Sequence, residues 1–340
     1  INNSNGSSFP TPNLEYIFNA VKKISRYIKT GNLIILESTS PVGTTESISD
    51  LLIKEGINLE KIFIAYSPER VLPGQILKEL VSNDRVVGGV NKVSTKKASN
   101  FYNQFINGKI FETDSRTAEM IKLTENSFRD VNIAFANELS MLCIDQNINV
   151  NEVIELANRH PRVNILKPGC GVGGHCISVD PWFMVYNANG KAKLIEQARN
   201  TNNLKSDWVI DFIMKKVSEF KEKKGFVPTI SCMGLAYKPN VDDLRESPAL
   251  YITKTLNRKL KVVAVEPNIN SYASLKLVDE KTGLKSDICI FLVQHKEFSN
   301  LTIRNDFNIW TRSVYGRFWS LGFSYGFGKG EAMEFRGRRR

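Results

Sequence analysis

Residues Pro168 to Phe183 read PGCGVGGHCISVDPWF, and Gly169, Gly171 and Gly174 within them match the spacing G-x-G-x-x-G. A dinucleotide-binding turn of that spacing needs a buried strand before the first glycine and a helix opening at the third, whose N-terminus takes the pyrophosphate. The flanks are wrong for it. RHPRVNILKP precedes the glycines with two prolines and a lysine, and HCISVDP follows them, reaching a proline within seven residues. The stretch is therefore read as a glycine-rich loop that lets a bulky ligand approach the backbone and that presents His175, Cys176 and, four residues on, Asp180.

The 340 residues suffice for two or three domains, with 42% hydrophobic and 24% charged residues as in an ordinary soluble protein. No apolar run approaches the ~20 residues that cross a bilayer. The opening INNSNGSSFPTP has no signal-peptide character, so the cytoplasm is the expected location and no membrane partner is expected. Five scattered cysteines without a C-x-x-C pair, and three histidines, argue against a metal site and against a disulfide framework. Cys143, Cys232 and Cys289 fall in helical or strand-like apolar patterns and are expected in the core, whereas Cys176 lies in a polar loop. Of the net charge of +11, residues 304–340 supply +5 through eight Lys and Arg against three acids, leaving +6. No nucleic-acid motif accompanies that surplus, which suits an anionic small substrate as well as a polyanion.

Outward from the loop, the pattern is that of an α/β protein. LEYIFNAVKKISRYIKT (14–30) has helical periodicity, NLIILEST a buried strand, SISDLLIKEG a helix, and KIFIAYSPE and DRVVGGV two more strands, which predicts a layer with a parallel sheet. RTAEMIKLTENSFRDVNIAFANELSMLCIDQN, from Arg116 to Asn147, has neither Pro nor Gly and predicts one long helix, of the kind that forms a spine between domains. Asn137 and Glu138 interrupt its apolar stretch and are expected to be buried and hydrogen-bonded. VPTISCMGLAY, ESPALYITKTLNR, LKVVAVEPN and SDICIFLVQH then alternate strand and helix as a second, smaller layer. Beyond Leu301 no period is assignable, and the tail is expected to be disordered.

Several residue sets are suited to chemistry, each with a plainer reading beside it. Cys176 has the open approach a nucleophilic thiolate needs, or it is a cysteine in a turn. Lys122 and Asn126, at i and i+4 of the long helix, suit stabilisation of a developing oxyanion, or they form a solvated polar face. Thr39 in ESTSPVGTT and Glu69 in SPERVLPG each follow a buried strand, at the sheet edge where α/β folds bind ligands, or they are turn residues. Lys238 and Arg245 flank a turn before a helix N-terminus, which suits a phosphate, although Asp242 and Asp243 also allow a local salt-bridge cluster.

Taken together, FPTP, ESTSPVGTT, SPERVLPG, AEMIKLTENSFRDVNIAFANE, HPRVNILKPGCGVGGHCISVDPWF and GLAYKPNVDDLRESPA resemble, in order and over residues 9 to about 298, the UDP-glucose/UDP-N-acetylmannosamine dehydrogenase family. HPRV, GVGGHCISVDPWF and PERVLPG look like its UDP-N-acetyl-D-mannosamine branch. The resemblance implies an NAD-dependent, four-electron oxidation of a UDP-sugar C6 alcohol to the uronic acid, with Cys176 forming a thiohemiacetal and then a thioester. It gives Lys122 and Asn126 the role of oxyanion donors and Asp180 that of water-organising carboxylate, with Thr39 and Glu69 holding water and cofactor near the reacting carbon. Arg245 is implied near the cofactor phosphates, and Glu69, Arg162, Gly173, Gly174 and Lys238 near the UDP-sugar. A homodimer through the central helix is also implied.

The expected architecture is a partial NAD-binding Rossmann layer (1–112), a central helical domain with the long helix (113–225), a second Rossmann-like, UDP-sugar-binding layer (226–303) and an unmatched tail (304–340). The chain opens without a glycine fingerprint, so it is expected to be N-terminally truncated, to bind NAD poorly and to be inactive or unstable by itself. The alternatives are UDP-glucose or UDP-N-acetylglucosamine as substrate, a hydroxyacid dehydrogenase making one hydride transfer without a cysteine, and a non-catalytic nucleotide-sugar-binding fragment.

Overall fold

The computed structural model of the chain describes residues 10–71, 76–301 and 308–310. The chain divides into two compact units, Ile1–Glu138 with Val172–Leu204 and Leu139–Gly171 with Lys205–Arg340. Leu72 to Gly74 of SPERVLPG, and the tail from Arg304 onward except 308–310, lie outside the described residues.

The first unit opens with α1 (Glu15–Ser25), β1 (Leu33–Leu36) and α2 (Thr44–Lys54). It continues through β2 (Phe63–Tyr66), α3 (Ile76–Ser82), β3 (Arg85–Gly89), α4 (Lys92–Tyr102) and β4 (Ile110–Asp114). The strands lie in the order β1-β2-β3-β4. β1 and β2 are parallel, as are β3 and β4, but β2 and β3 run antiparallel with Tyr66 opposite Gly88. The all-parallel expectation is corrected there. Strand and helix periodicity are the same in both cases, and direction depends on where the connecting segment returns, which no local pattern records. Gly88 is dictated by packing, since a Cβ there would stand 2.2 Å from the Asp114 carbonyl oxygen.

α5 (Ser115–Asp145) fulfils the long-helix expectation at 31 residues. The Asp114 carboxylate accepts from the Thr117 N–H at 2.8 Å and caps its start. Asn147, left-handed at φ 55°, stops it, and the Ile148 N–H closes on the Cys143 carbonyl at 2.7 Å. α6 (Val150–Ala157) and α7 (Asp180–Asn187) follow, and α8 (Lys193–Lys224) runs 32 residues to Gly225, left-handed at φ 80°. Asn137 is buried and donates to Asn202 Oδ1 at 2.9 Å, as expected, but Glu138 is exposed. Adjacent helix positions point about 100° apart, so one of the pair faces the core and the other faces solvent.

The second unit contains β5 (Ile230–Met233), α9 (Pro248–Asn257), β6 (Val262–Val265), α10 (Glu280–Gly283), β7 (Ile288–Phe291) and β8 (Asn308–Trp310). Its sheet has the order β6-β5-β7-β8, every pair parallel. The chain leaves β5 for β6 on one side and returns to β7 on the other, and such a reversal of strand order is where α/β sheets bind ligands. β8 corrects the expectation that no strand follows Leu301, since three residues are too few to show an alternating pattern. Cys232 and Cys289 lie in buried strands, Cys143 is buried on α5, and Cys170 packs against Ile213 and Leu292, so four of the five thiols are core groups.

Arg199 of α8 and Asp130 of α5 form a fully buried ion pair at 2.6 Å, completed by Asn202 and Asn203. Burial pushes the Asp130 carboxyl up and the Arg199 guanidinium opposes it. Removing one partner leaves an uncompensated buried charge. Arg199→Met is expected to lower the unfolding free energy by about 3–5 kcal/mol, and Arg199→Met with Asp130→Leu to recover most of the loss. Denaturant titrations of the three proteins check this.

Candidate active site

α5 carries Glu119, Lys122 and Asn126 at i, i+3 and i+7, which is one face of a helix. Each is tied to a different loop of the first unit. Glu119 is fully buried, and its carboxylate accepts from the Gly43 N–H at 2.6 Å, the Thr45 N–H at 2.8 Å and the Thr45 hydroxyl at 2.6 Å. It thereby fills the positive N-terminus of α2 that would otherwise attract an anion. Burial raises its pKa and those donors work against the rise. Thr39 lies half-buried in the loop that leads into this clasp.

Lys122 donates one of its three ammonium protons to the Glu69 carbonyl oxygen at 2.9 Å. The Glu69 carboxylate itself is held in place. Oε1 accepts from the Arg70 and Val71 amides at 2.7 and 2.9 Å, and Oε2 from Arg85 Nη2 at 3.1 Å. Burial works against ionisation, but those two amides and the guanidinium hold the carboxyl below its usual range.

Asn126 is buried and donates to Asp180 Oδ2 at 2.5 Å. Asp180 opens α7 with Pro181 in the first turn, a position that tolerates proline, so the proline read as a break in HCISVDP begins a helix. The Asp180 and Val179 amides both donate to the Cys176 carbonyl, at 2.8 and 3.0 Å, and the Ser178 hydroxyl donates to the Gly174 carbonyl. Gly174 is left-handed at φ 84° and Cys176 is partly exposed. Burial raises the Asp180 carboxyl to about 6, with Asn126 and the Lys122 ammonium opposing the rise. Asn126, Asp180 and the Cys176 turn are thus joined within one unit, and Lys122 shares the helix face of Asn126.

The other predicted residues fall elsewhere. Gly173 precedes Gly174 in the loop of the first unit. Arg162, Lys238 and Arg245 belong to the second unit. Arg162 is exposed, and Lys238 Nζ stands 5.5 Å over the Tyr237 ring. Arg245 is exposed and its guanidinium pairs with Asp243 at 2.7 Å, which is the local salt bridge left open by the sequence. At the carboxyl end of β5 the Leu235 and Ala236 amides donate to buried Glu266, which also meets His295 Nε2 at 3.0 Å. Burial opposes its ionisation, yet His295 and those amides bring its carboxyl down to about 2.

The sequence reading missed Glu119, Arg85, Glu266 and Lys205. The Lys205 ammonium is buried among Ser140 Oγ at 2.8 Å and the Trp208 ring at 4.1 Å, and burial brings it down to about 7. Glu266 carried a signal, a charge closing the apolar run VVAV, whereas Glu119, Arg85 and Lys205 stand among polar or charged neighbours that do not mark them as buried.

A nucleotide cofactor fits the first sheet. Ser40 follows Thr39 at the carboxyl edge, and its hydroxyl is buried without a hydrogen-bond partner, as befits a group kept for a ligand. The fold is that of an α/β protein with two Rossmann-like layers. The chain belongs to the UDP-glucose/GDP-mannose dehydrogenase family, matching its NAD binding domain over residues 2–106, its central domain over 116–204 and its UDP binding domain over 231–315. The last match extends past Leu301, in keeping with β8.

A UDP-N-acetyl-D-mannosamine dehydrogenase of Campylobacter jejuni is 51% identical over 306 residues, covering 84% of this chain and 74% of the relative. An NDP-N-acetyl-D-galactosaminuronic acid dehydrogenase of Ralstonia nicotianae is 47% identical, covering 85% and 71%. The solved structure of a UDP-D-ManNAc dehydrogenase from Pyrococcus horikoshii superposes with a TM-score of 0.82 at 37% identity, covering 90% of this chain and 74% of that one. The chain is therefore a member of an NAD-dependent dehydrogenase family, with a UDP-binding domain that suits a UDP-sugar substrate. Among the described residues no helix is long and apolar enough to cross a membrane.

Asp180 titrates near 6 when folded and near 4 when unfolded, so its proton stabilises the fold fully below about pH 4 and that stability is lost as pH rises through about 6. Relative to Asp180→Asn, the wild type is expected to lose roughly 1.4 kcal/mol of stability per pH unit across that window and nothing further above it. Urea unfolding at a series of pH values measures the difference.

Proposed function

We propose that this protein oxidises the C6 alcohol of UDP-N-acetyl-D-mannosamine to the uronic acid through a cysteine thioester. The observation that carries the reading is the link from α5 through Asn126 to the Asp180 carboxylate and on to the Cys176 turn. Two relatives named for UDP-N-acetyl-D-mannosamine support the choice of sugar.

In this reading Cys176 adds to the C6 aldehyde and gives a thiohemiacetal, whose second oxidation leaves a thioester. Lys122 and Asn126 donate to the oxygen that carries charge at the addition and again when water attacks. Asp180, with a pKa near neutrality, takes a proton from that water, and the thiolate leaves as the carboxylate forms. NAD, when bound, accepts a hydride in each of the two oxidations. Thr39 and Ser40 hold it at the carboxyl edge of the first sheet. Glu69 orders the turn on which Lys122 rests, while the Gly173–Gly174 loop receives the sugar beside Cys176. The protein acts in the cytoplasm, in keeping with four buried thiols suited to a reducing compartment.

Two NADH per UDP-N-acetyl-D-mannosamine are expected by absorbance, with slower turnover of UDP-N-acetylglucosamine and UDP-glucose. Cys176→Ser is expected to lose at least a thousandfold in turnover. One NADH per sugar, or unchanged turnover in that variant, contradicts the mechanism.

The protein pairs with a second copy of itself along α5. Phe128 and Phe135, seven residues apart on one face of that helix, are 67% and 56% exposed, more apolar surface than a monomer gains by showing to water. Phe128→Asp with Phe135→Asp is expected to halve the mass measured by sedimentation equilibrium.

A further inference from the structure

We propose that Arg85 is a positioning residue of the reaction, holding Glu69 in place and, through the Glu69 backbone, the Lys122 ammonium. The inference rests on the reading of Lys122 as an oxyanion donor. The antiparallel pairing of β2 and β3 sets Tyr66 opposite Gly88, and the same register carried three residues further sets Glu69 against Arg85. A cation at the first position of β3 is thereby delivered to the carboxyl edge of β2. A parallel β3 would have sent it to the far edge.

The surroundings of Arg85 leave it little freedom. Its side chain is 5% exposed, its guanidinium lies 4.7 Å over the Tyr102 ring, Nη2 meets Glu69 Oε2 at 3.1 Å and Nη1 meets Glu37 Oε1 at 3.4 Å. The Tyr102 hydroxyl donates to the same Glu37 oxygen at 2.6 Å and orients that carboxylate. A planar guanidinium confined by a ring and two carboxylates has one orientation, which a flexible ammonium would not reproduce. Glu69 passes that orientation on, because its carboxylate binds Arg85 and its own-turn amides while its carbonyl binds Lys122 Nζ. Arg85 touches no reacting atom and acts by fixing the carbonyl against which the ammonium rests.

The test is a double-mutant cycle on the full chain, read by kcat and KM for the UDP-sugar, by the acid limb of kcat/KM and by the labelling rate of the Lys122 amine with an acylating reagent, followed by mass spectrometry. Arg85→Gln is expected to lower kcat at least tenfold with a smaller change in KM, to move the acid limb upward and to speed acylation of Lys122. Arg85→Lys is expected to restore the charge but not the orientation, recovering the acid limb more than kcat. In a Glu69→Gln background, Arg85→Gln is expected to add less than a twofold loss. Should Arg85→Gln fail to fold, the cycle runs with Arg85→Lys. Equal losses in both backgrounds, or a Lys122 labelling rate unchanged by either Arg85 substitution, overturn the inference. The labelling arm needs no turnover, so a wild type that makes no NADH refutes the proposed reaction while leaving this result to be read independently.

Discussion

One face of α5 holds three loops. Glu119 grips the turn after β1, Lys122 the turn after β2 and Asn126 the start of α7 beside Cys176, at successive helical spacings. A helix is the stiffest element a chain of this size offers, so three loops tied to one of its faces are fixed relative to one another as well as to the helix. Loops by themselves would not hold such a geometry, because each has its own soft dihedrals and few packed neighbours. The arrangement of the candidate site in the first unit depends on this face.

The first of these anchors is energetically demanding. Glu119 is a buried carboxylate whose recorded partners are two amides and a hydroxyl, and burying an unpaired charge of that kind is costly unless its oxygens are well bonded. The N-terminus of α2 supplies both the amides and the positive end of a helix dipole. The geometry that would make this helix end an anion site is therefore used internally, which leaves the buried Ser40 hydroxyl as a polar group without a hydrogen-bond partner at that edge. Glu266 does the same in the second unit, closing the amides after β5 with a carboxylate of the chain itself.

Much of this was legible in the sequence because it is local. The long proline-free run set the length of α5, the i, i+4 spacing set Lys122 and Asn126 on one face, and the glycine loop announced a partly exposed Cys176. What was not legible depends on pairing at a distance. The meeting of Arg85 and Glu69 requires an antiparallel register that alternating hydrophobicity does not encode, and nothing local distinguishes buried Asn137 from exposed Glu138 except the rotation of the helix on its core. The Arg245 to Asp243 pair was one of two outcomes that the spacing allowed, and only the backbone of the turn selects it. β8 was hidden for a different reason, since a three-residue strand added to a sheet already formed needs no pattern of its own.

Electrostatics then separates the carboxylates of Glu69 and Asp180. Glu69 is half-exposed and accepts from two amides and a guanidinium, so it stays ionised well into the acid range. Asp180 is 3% exposed and has an amide as its hydrogen-bonded neighbour, with the Lys122 ammonium acting on it as a field, and it sits near 6. A pair of like groups pushed apart in this way has one member fixed as a charge and the other free to exchange a proton near neutrality. The ordering follows from position in the fold. Glu69 closes a strand at the sheet edge, where solvent and main-chain amides reach it, while Asp180 opens a helix packed against α5, where they do not. Exchanging their environments, even with every residue type kept, would leave a permanent negative charge beside the Cys176 turn and a titrating group next to the carbonyl that holds Lys122. The proton-exchanging group would then be gone from the Cys176 turn, and the ammonium would lose a steady support.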